Sequence, residues 1–428
     1  MQSDALALFE LANQHMERCE LEAAEKNYRA VLKMAPGLAA AHMNLGTLLL
    51  RQRRFSEAEA SYGNALALEP GKGANWSNLG SLYLRYQRED DAEVCLRRAI
   101  ALEPDNRVAR FNLSYLQLRR GHFSEGWALF EARDWYARFE AQFRFPRWQG
   151  EALEGKSLLL CMEAGHGDVI QFVRYSASLK ARGVRHLTLL CHAALVRLLH
   201  GLPSLDAVIG YQGGPLPDIT HDYWMPLMSA PYYLKADGAT DFSFGLTPPY
   251  LQADPALCRQ WSEAVPDKGF RVGLVWKGNP EFEFDSTRSL PDIHALKTLW
   301  QVQGVEFVSL QKGAGEAEAL EFANMHPLTC LGQRMQDFAD AAAIISQLDL
   351  VISVDSAIAH LAAALGKPCW ILLPDFMCDW RWGAHRTDSP WYPGVVRLFR
   401  QGRDARWEPV VEAVKNALQE VTKNQRTS

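Results

Sequence analysis

The sequence predicts two architectures in one chain, an N-terminal α-solenoid followed by an α/β region of two Rossmann-like halves. Three observations carry that expectation. A proline recurs at a fixed interval through the first third. After residue 155, short apolar runs alternate with longer amphipathic stretches. A stretch rich in proline and glycine then splits those runs into two series.

The chain has 428 residues, of which 48% are hydrophobic and 22% charged. That balance is able to build sizeable cores, and it excludes a disordered, collagen-like or low-complexity chain. At about 150 residues per domain, the length suggests two or three domains. Lys and Arg total 45 against 50 Asp and Glu, a net charge of -5. A nucleic-acid binder normally carries a basic surplus, so nucleic acid is not an expected partner. The N-terminus lacks the basic start and apolar core of a secretory signal, and no window holds about 18 uninterrupted apolar residues. The eight cysteines are scattered without a C-x-x-C pair, as in a cytoplasmic protein with reduced thiols.

The prolines Pro36, Pro70 and Pro104 each follow Ala or Glu and lie 34 residues apart, which is the tetratricopeptide period. The second repeat supplies Leu45, Gly46, Ala58, Tyr62 and Ala65 at signature positions; the third supplies Trp76, Leu79, Gly80, Tyr83, Ala92 and Ala99. Small residues let two helices approach, aromatic ones fill the gaps, and each proline ends the second helix of its unit. The first repeat matches more weakly, through Leu11, Ala24 and Tyr28. A fourth, degenerate unit starts near Asn106 and runs through GHFSEGWALFEARDW, as expected of a capping repeat. Residues 1–137 are therefore assigned to repeats. They form either a spacer or a concave surface for a peptide. Residues 138–155 form an aromatic linker: WYARFEAQFRFPRW (135–148) interleaves aromatics with arginines, and the acidic total favours a docking seam over base stacking.

In the remainder, SLLLC (157–161), HLTLLC (186–191) and DAVIG (206–210) read as buried parallel strands. Pro215, Pro217, Pro226, Pro231, Pro248 and Pro249 mark loops. RVGLVW (271–276), VEFVSL (305–310), DLVISV (349–354), CWILLP (369–374) and VVRLF (395–399) form the second series, closed by a helix over 408–421. The halves are 156–270 and 271–428, facing across a cleft.

Ligands of such sheets bind beyond the carboxyl ends of strands. The first strand is followed by MEAGHGDVIQF. Gly165 and Gly167 open a G-x-G-x-x-G pattern, but Ile170 replaces its third glycine. Asp168 would also face a dinucleotide pyrophosphate with like charge, so a nicotinamide or flavin cofactor is not expected. Asp168 is open to two readings: a helix N-cap, or an ionised carboxylate that accepts a proton from an attacking hydroxyl. After DLVISV come Asp355, Ser356 and a helix beginning at Ala357, whose free N–H groups make an anion site. His360 shares a helix face with Ser356, either as a packed core histidine or as part of the site. Lys277 and Arg288 supply positive charge after RVGLVW, and arginine can grip a diphosphate bidentately. VEFVSL ends in Gln311 and Lys312, then Glu316 and Glu318, which suit ribose hydroxyls or the solvated first turn of a helix. No Asp-x-Asp pair follows a strand, so no metal is expected.

The run GHGDVIQFVRY, the loop WKGNPEFEFDSTRSLP, the strand end SLQKG and DLVISVDSAIAHLAAALGKPCWILLP together resemble glycosyltransferase family 9, the heptosyltransferase family. DFAD (337–340), DWRW (379–382) and DSPWYP (388–393) strengthen a resemblance to bacterial proteins that join tetratricopeptide repeats to such a domain. The resemblance implies a GT-B fold and an inverting, metal-independent transfer that needs no cofactor. It places the nucleotide-sugar donor in the C-terminal half and the acceptor in the N-terminal half. By the same resemblance, Asp168 is the general base. Asp355, Ser356, Ala357 and His360 serve the donor, with Arg288, Lys277, Gln311, Lys312 and Glu316. Glu163, His166 and Gly167 lie on the acceptor side. Two departures stand out: the N-terminal half is short, and Glu316 and Glu318 compete for the family's ribose-binding glutamate. The expected partners are a nucleotide sugar and a protein acceptor, flagellin-like by resemblance, held by the repeats. The alternatives are an inactive repeat scaffold and a lipopolysaccharide-sugar transferase.

Overall fold

The structure, a computed structural model, describes residues 2–216, 218–235 and 247–426; Pro217 of the proline-rich stretch lies outside them. It contains two compact units, one ending at Arg133 and one starting at Asp134.

The first unit is four helical hairpins, Gln2–Glu17 with Leu21–Met34, Ala39–Arg51 with Phe55–Leu68, Gly73–Arg85 with Glu89–Leu102, and Arg107–Arg120 with Phe123–Phe130. Pro36, Pro70 and Pro104 each fall two residues past the end of a second helix, where the missing N–H costs nothing. Within the second hairpin, a methyl group added at Gly46 would stand 2.7 Å from the Tyr62 ring, so glycine is what lets the helices touch. Tyr62, Ala58 and Ala92 are buried. The fourth hairpin opens with the Asn106 side chain accepting from the Ala109 N–H, and its first helix ends on Gly121 at φ 84°.

The second unit holds two parallel sheets. The first contains β1 (Ser157–Cys161), β2 (His186–His192), β3 (Ala207–Tyr211) and β4 (Tyr223–Pro226), in the order β3-β2-β1-β4. The second contains β5 (Phe270–Val275), β6 (Val305–Ser309), β7 (Thr329–Cys330), β8 (Leu350–Val354), β9 (Cys369–Leu373) and β10 (Val396–Arg400), in the order β10-β9-β8-β5-β6-β7. Strands β8 and β9 are buried on both faces, which is why they read as unbroken apolar runs. The helix Glu408–Arg426 lays Val410, Val411, Val414 and Leu418 against this second core.

Each sheet reverses its winding once, between β1 and β4 and between β5 and β8. Such switch points open a crevice at the carboxyl ends of the strands, so the loops after β1, β5 and β8 are placed to form a site.

Two elements correct the sequence reading. Pro226 is not a loop marker but the last residue of β4, and Pro231 lies inside the short helix Ala230–Tyr233. Proline is tolerated there because β4 is the terminal named strand of its sheet and a short helix leaves its early N–H groups unpaired. The aromatic segment belongs to the second unit. The Trp148 N–H donates to the Trp224 carbonyl at 2.8 Å and the Trp224 N–H to Pro146 at 3.1 Å, so this segment covers the open side of β4. Phe143 packs 5.0 Å from Trp224, and Arg147 lies 4.4 Å over Tyr136.

Two helical glycines should respond in opposite ways. Gly46→Ala drives a methyl group into the Tyr62 ring and should destabilise the repeats by roughly 1–3 kcal/mol. Gly63 has open space at its Cβ position, so Gly63→Ala should stabilise its helix by about 0.5–1 kcal/mol. Urea denaturation followed by circular dichroism separates the two.

Candidate active site

The loop after β1 leads into the short helix His166–Phe172, whose N-cap is Gly165. Asp168 is the third residue of that helix and reaches back: its Oδ2 accepts the Gly165 N–H at 2.8 Å. It is therefore not the cap itself but the carboxylate of a capping interaction, set beside the positive end of the helix. Its other oxygen, Oδ1, is bound by the Arg381 guanidinium from the opposite half. Next to it, Gly167 comes so close to the helix Ala357–Ala364 that an added methyl group would lie 2.8 Å from the His360 ring and 3.5 Å from the Ala357 Cα. The catalytic candidate of the first half and the helix start of the second are thus brought together.

Arg381 is the link. Its Nε donates to Gln171 Oε1 at 2.5 Å and its Nη1 to both oxygens of Asp379 at 3.0 Å. The guanidinium lies 4.6 Å over the Trp380 ring. Beyond Asp379 stands Asp355, whose carboxyl is pushed up to about 6, by burial first and by the Asp379 charge second; Arg288 pulls it the other way. Arg381, Asp379 and Gln171 were not singled out from the sequence. DWRW was visible as a motif, but nothing local says that its arginine spans the cleft.

The long loop after β5 ends in a single helical turn, Asp285–Arg288. Asp285 takes the Arg288 Nε at 3.0 Å and the Ser289 hydroxyl at 2.9 Å, and Ser289 in turn accepts the Gly278 N–H at 2.8 Å. This chain of bonds holds the Arg288 head, which also lies 4.6 Å over Phe282. Arg288 is close enough to influence both Asp355 and His360. Lys277 points elsewhere: its ammonium pairs with Glu318, which also accepts the Trp276 indole N–H at 3.0 Å.

Gln311 is nearly fully buried and spends its amide on backbone. Its oxygen accepts the Trp276 and Lys277 N–H groups, both at 3.0 Å, and its nitrogen donates to the Lys277 and Ala314 carbonyls. It staples the β5 and β6 loops together. The Lys312 ammonium donates to the Met335 carbonyl at 2.7 Å, and Glu316 accepts the Gly313 N–H at 2.6 Å. Of the two competing glutamates, Glu318 is therefore engaged by Lys277 and Glu316 closes its own turn.

At the end of β8, the Ser356 hydroxyl caps the helix Ala357–Ala364 and lies 2.8 Å from the Ser353 hydroxyl. His360, one turn in, is buried; its Nδ1 meets the Tyr392 hydroxyl at 2.8 Å and its ring stacks on Trp382 at 5.2 Å. Burial, helped by Arg381, Arg174 and Arg288, holds its imidazole far below the usual range, so it stays neutral. It is both packed and at the site, which joins the two sequence readings. Arg174 lies just beyond the helix that carries Asp168. Though 3% exposed, it finds only uncharged acceptors, the Gln171 and Trp391 carbonyls and the Tyr250 hydroxyl.

On the other side of the β1 loop, Glu163 accepts the Met228 N–H at 2.9 Å. His166 is sandwiched between His192 at 4.3 Å and Phe338 at 5.1 Å. Among the described residues, no group of three His, Cys, Asp or Glu side chains is placed to hold a metal ion, and no helix is long and apolar enough to cross a membrane.

Burial, with the His192 charge second, lowers the His166 imidazole from 6.5 to about 4. Unfolding frees it to bind a proton at pH values where the folded form binds none. Its contribution is neutral above pH 6.5 and becomes destabilising as the pH falls toward 4. Asp355, raised from 3.8 to about 6, tilts the other way, losing stability as pH rises. The difference between wild type and His166→Asn isolates the histidine. The variant should gain on wild type by on the order of 2 kcal/mol between pH 7 and 4.5, read from urea midpoints.

Comparison with known proteins agrees with both units. Residues 49–111 match the model of the tetratricopeptide repeat, and residues 296–372 match that of glycosyltransferase family 9 (heptosyltransferase). Protein FlbA of Caulobacter vibrioides is 30% identical over 328 residues, 71% of this chain and 53% of that protein, so the chain spans about half the length of this curated relative. Among solved structures, a mutant O-GlcNAc transferase of Thermobaculum terrenum aligns over 99% of this chain and 93% of its own at 16% identity and a TM-score of 0.35. YrrB, described as a TPR protein with an unusual peptide-binding site, aligns over 31% of this chain and 68% of its own at 24% identity and a TM-score of 0.28. The chain carries tetratricopeptide repeats followed by a glycosyltransferase family 9 domain.

Proposed function

We propose that the second unit transfers a sugar from a nucleoside-diphosphate donor to a hydroxyl acceptor, with inversion and without a metal ion or other cofactor. The observation that carries this reading is the meeting of Asp168 with the Ala357 helix start and Arg288 around one crevice. A carboxylate that can take a proton thus faces groups that can hold a diphosphate.

In this reaction the acceptor O–H gives its proton to Asp168 as its oxygen forms a bond to the anomeric carbon. The bond from that carbon to the phosphate oxygen breaks on the opposite face, which inverts the configuration. The electron pair leaves with the nucleoside diphosphate. Its charge is met by Arg288, the Ser356 hydroxyl and the free N–H groups at Ala357, as a metal ion would meet it elsewhere. Arg381 binds one oxygen of Asp168 and shares its guanidinium with Asp379. Neutral His360 is a hydrogen-bonding group here rather than a proton donor.

The acceptor in this proposal is a protein Ser or Thr, in the cytoplasm, recruited by the repeats. Support comes from Asn44, Asn78 and Asn112, which recur at the 34-residue period on the first helices of three successive hairpins. Their amides, half-buried, pair with side chains one hairpin back: Asn44 with Asn13 at 2.8 Å, Asn112 with Ser81 at 2.7 Å. A regular row of amides suits a peptide backbone, which repeats its own donors and acceptors.

Asp168→Asn should lower kcat by about 10²–10⁴-fold and leave donor binding intact, measured with a panel of nucleotide sugars and a peptide acceptor. Full turnover in a folded variant would remove the base assignment. Replacing Asn44, Asn78 and Asn112 together by Ala should raise the KM for a protein acceptor by about tenfold or more while donor hydrolysis is unchanged. Equal activity on a glycolipid, indifferent to these changes, would point to a lipid-linked acceptor instead.

A further inference from the structure

The guanidinium of Arg381 has an unusual set of partners. It is 7% exposed, and its three nitrogens are all engaged by protein: Nε by Gln171 Oε1, Nη1 by Asp379, Nη2 by Asp168. Its own backbone N–H also donates to Asp379 Oδ1, at 2.9 Å. The plane of the group is fixed by the Trp380 ring at 4.6 Å and the Phe172 ring at 5.6 Å. Asp168, Gln171 and Phe172 sit on one short helix of the first half, whereas Asp379, Trp380 and Arg381 belong to the loop after β9 of the second.

We propose that Arg381 is the positioning residue of the base: by binding Asp168, Gln171 and Asp379 at once, it transmits the register of the donor half to the Asp168 carboxylate. This rests on the reading of Asp168 as base. The group is not the anion grip of the site, because each of its three nitrogens already donates to a protein group; Arg288 and the Ala357 helix start have that task. With Oδ2 tied to Gly165 and Oδ1 tied to Arg381, the Asp168 carboxylate is held in a single rotamer, and each oxygen keeps a further lone pair. The fork geometry of arginine is needed for three partners in one plane; a lysine carries the charge but serves them as a point. Loss of orientation costs the rate of the bond-making step rather than ground-state affinity.

The test uses the full chain. The donor probe is whichever of UDP-, GDP-, dTDP-, CDP- and ADP-linked sugars raises the melting temperature of wild type most. Arg381→Lys should lower kcat by about 10²-fold while the Kd for that donor, from calorimetry, changes by less than about threefold. In an Asp168→Asn background the same substitution should have no further effect, because the residue through which it acts is gone. Asp379→Glu should retain more of the rate than Asp379→Ala. Arg381→Lys with wild-type kcat, or with donor affinity lost in step with kcat, overturns the proposal. So does an undiminished further loss in the Asp168→Asn background. If wild type turns over none of the five donors, the transferase reading itself fails and the positioning role falls with it. If wild type is active but Asp168→Asn is equally active, the base assignment alone fails.

Discussion

The arrangement of the candidate site centres on one ion pair that joins the two halves of the second unit. Asp168 stands at a helix start in the first half and Arg381 in a loop of the second, and their side chains meet across the crevice. An ion pair between exposed groups would contribute little. This one is largely buried, backed by Asp379 and Gln171 and flattened against aromatic rings, so breaking it would strand a charge away from water. The close approach of Gly167 to His360 joins the same two halves.

Charge is unevenly apportioned around that pair. Three carboxylates, Asp168, Asp379 and Asp355, face two arginines, Arg381 and Arg288. Arg381 is engaged by two carboxylates, whereas Arg288 pairs through its Nε with one, Asp285. Asp285 and Phe282 hold it at the end of a loop that belongs to β5. The neighbouring loops are not independent, because buried Gln311 ties the β5 and β6 ends to one another through four bonds.

Much of this was legible in the sequence, for physical reasons. A 34-residue period is a local signal repeated, and parallel strands buried on both faces read as unbroken apolar runs, so the solenoid and most strands could be placed. The positions of Asp168 and Ser356 just past strand ends, of His360 one turn into the following helix and of Arg288 in the loop after β5 followed from that alternation. What could not be read is long-range. Strand β4 is four residues ending in proline, too short and too irregular to signal itself. Arg381 lies more than two hundred positions from the carboxylate it binds, and no spacing encodes that meeting. Gln311 and Lys312 looked like ligand-binding side chains because their type and position fit; only packing shows that backbone carbonyls and N–H groups have already claimed them. The aromatic stretch 135–148 was distinctive in composition, yet its work, covering the side of β4, is a property of the sheet.

Arg174 gives the crevice a further property. Its guanidinium is sealed beneath the site against Tyr250 and Tyr392, at 4.4 and 4.8 Å from their rings, and its hydrogen-bond acceptors carry no formal charge. The chain as a whole is acidic, at -5, so its outer surface repels an anion at long range. At physiological salt that repulsion fades beyond about 8–10 Å, whereas a charge enclosed by aromatic walls is screened much less. The result is a local attraction that survives where the repulsion fades: an anionic ligand approaching in concentrated electrolyte would feel the buried cation more than the acidic exterior.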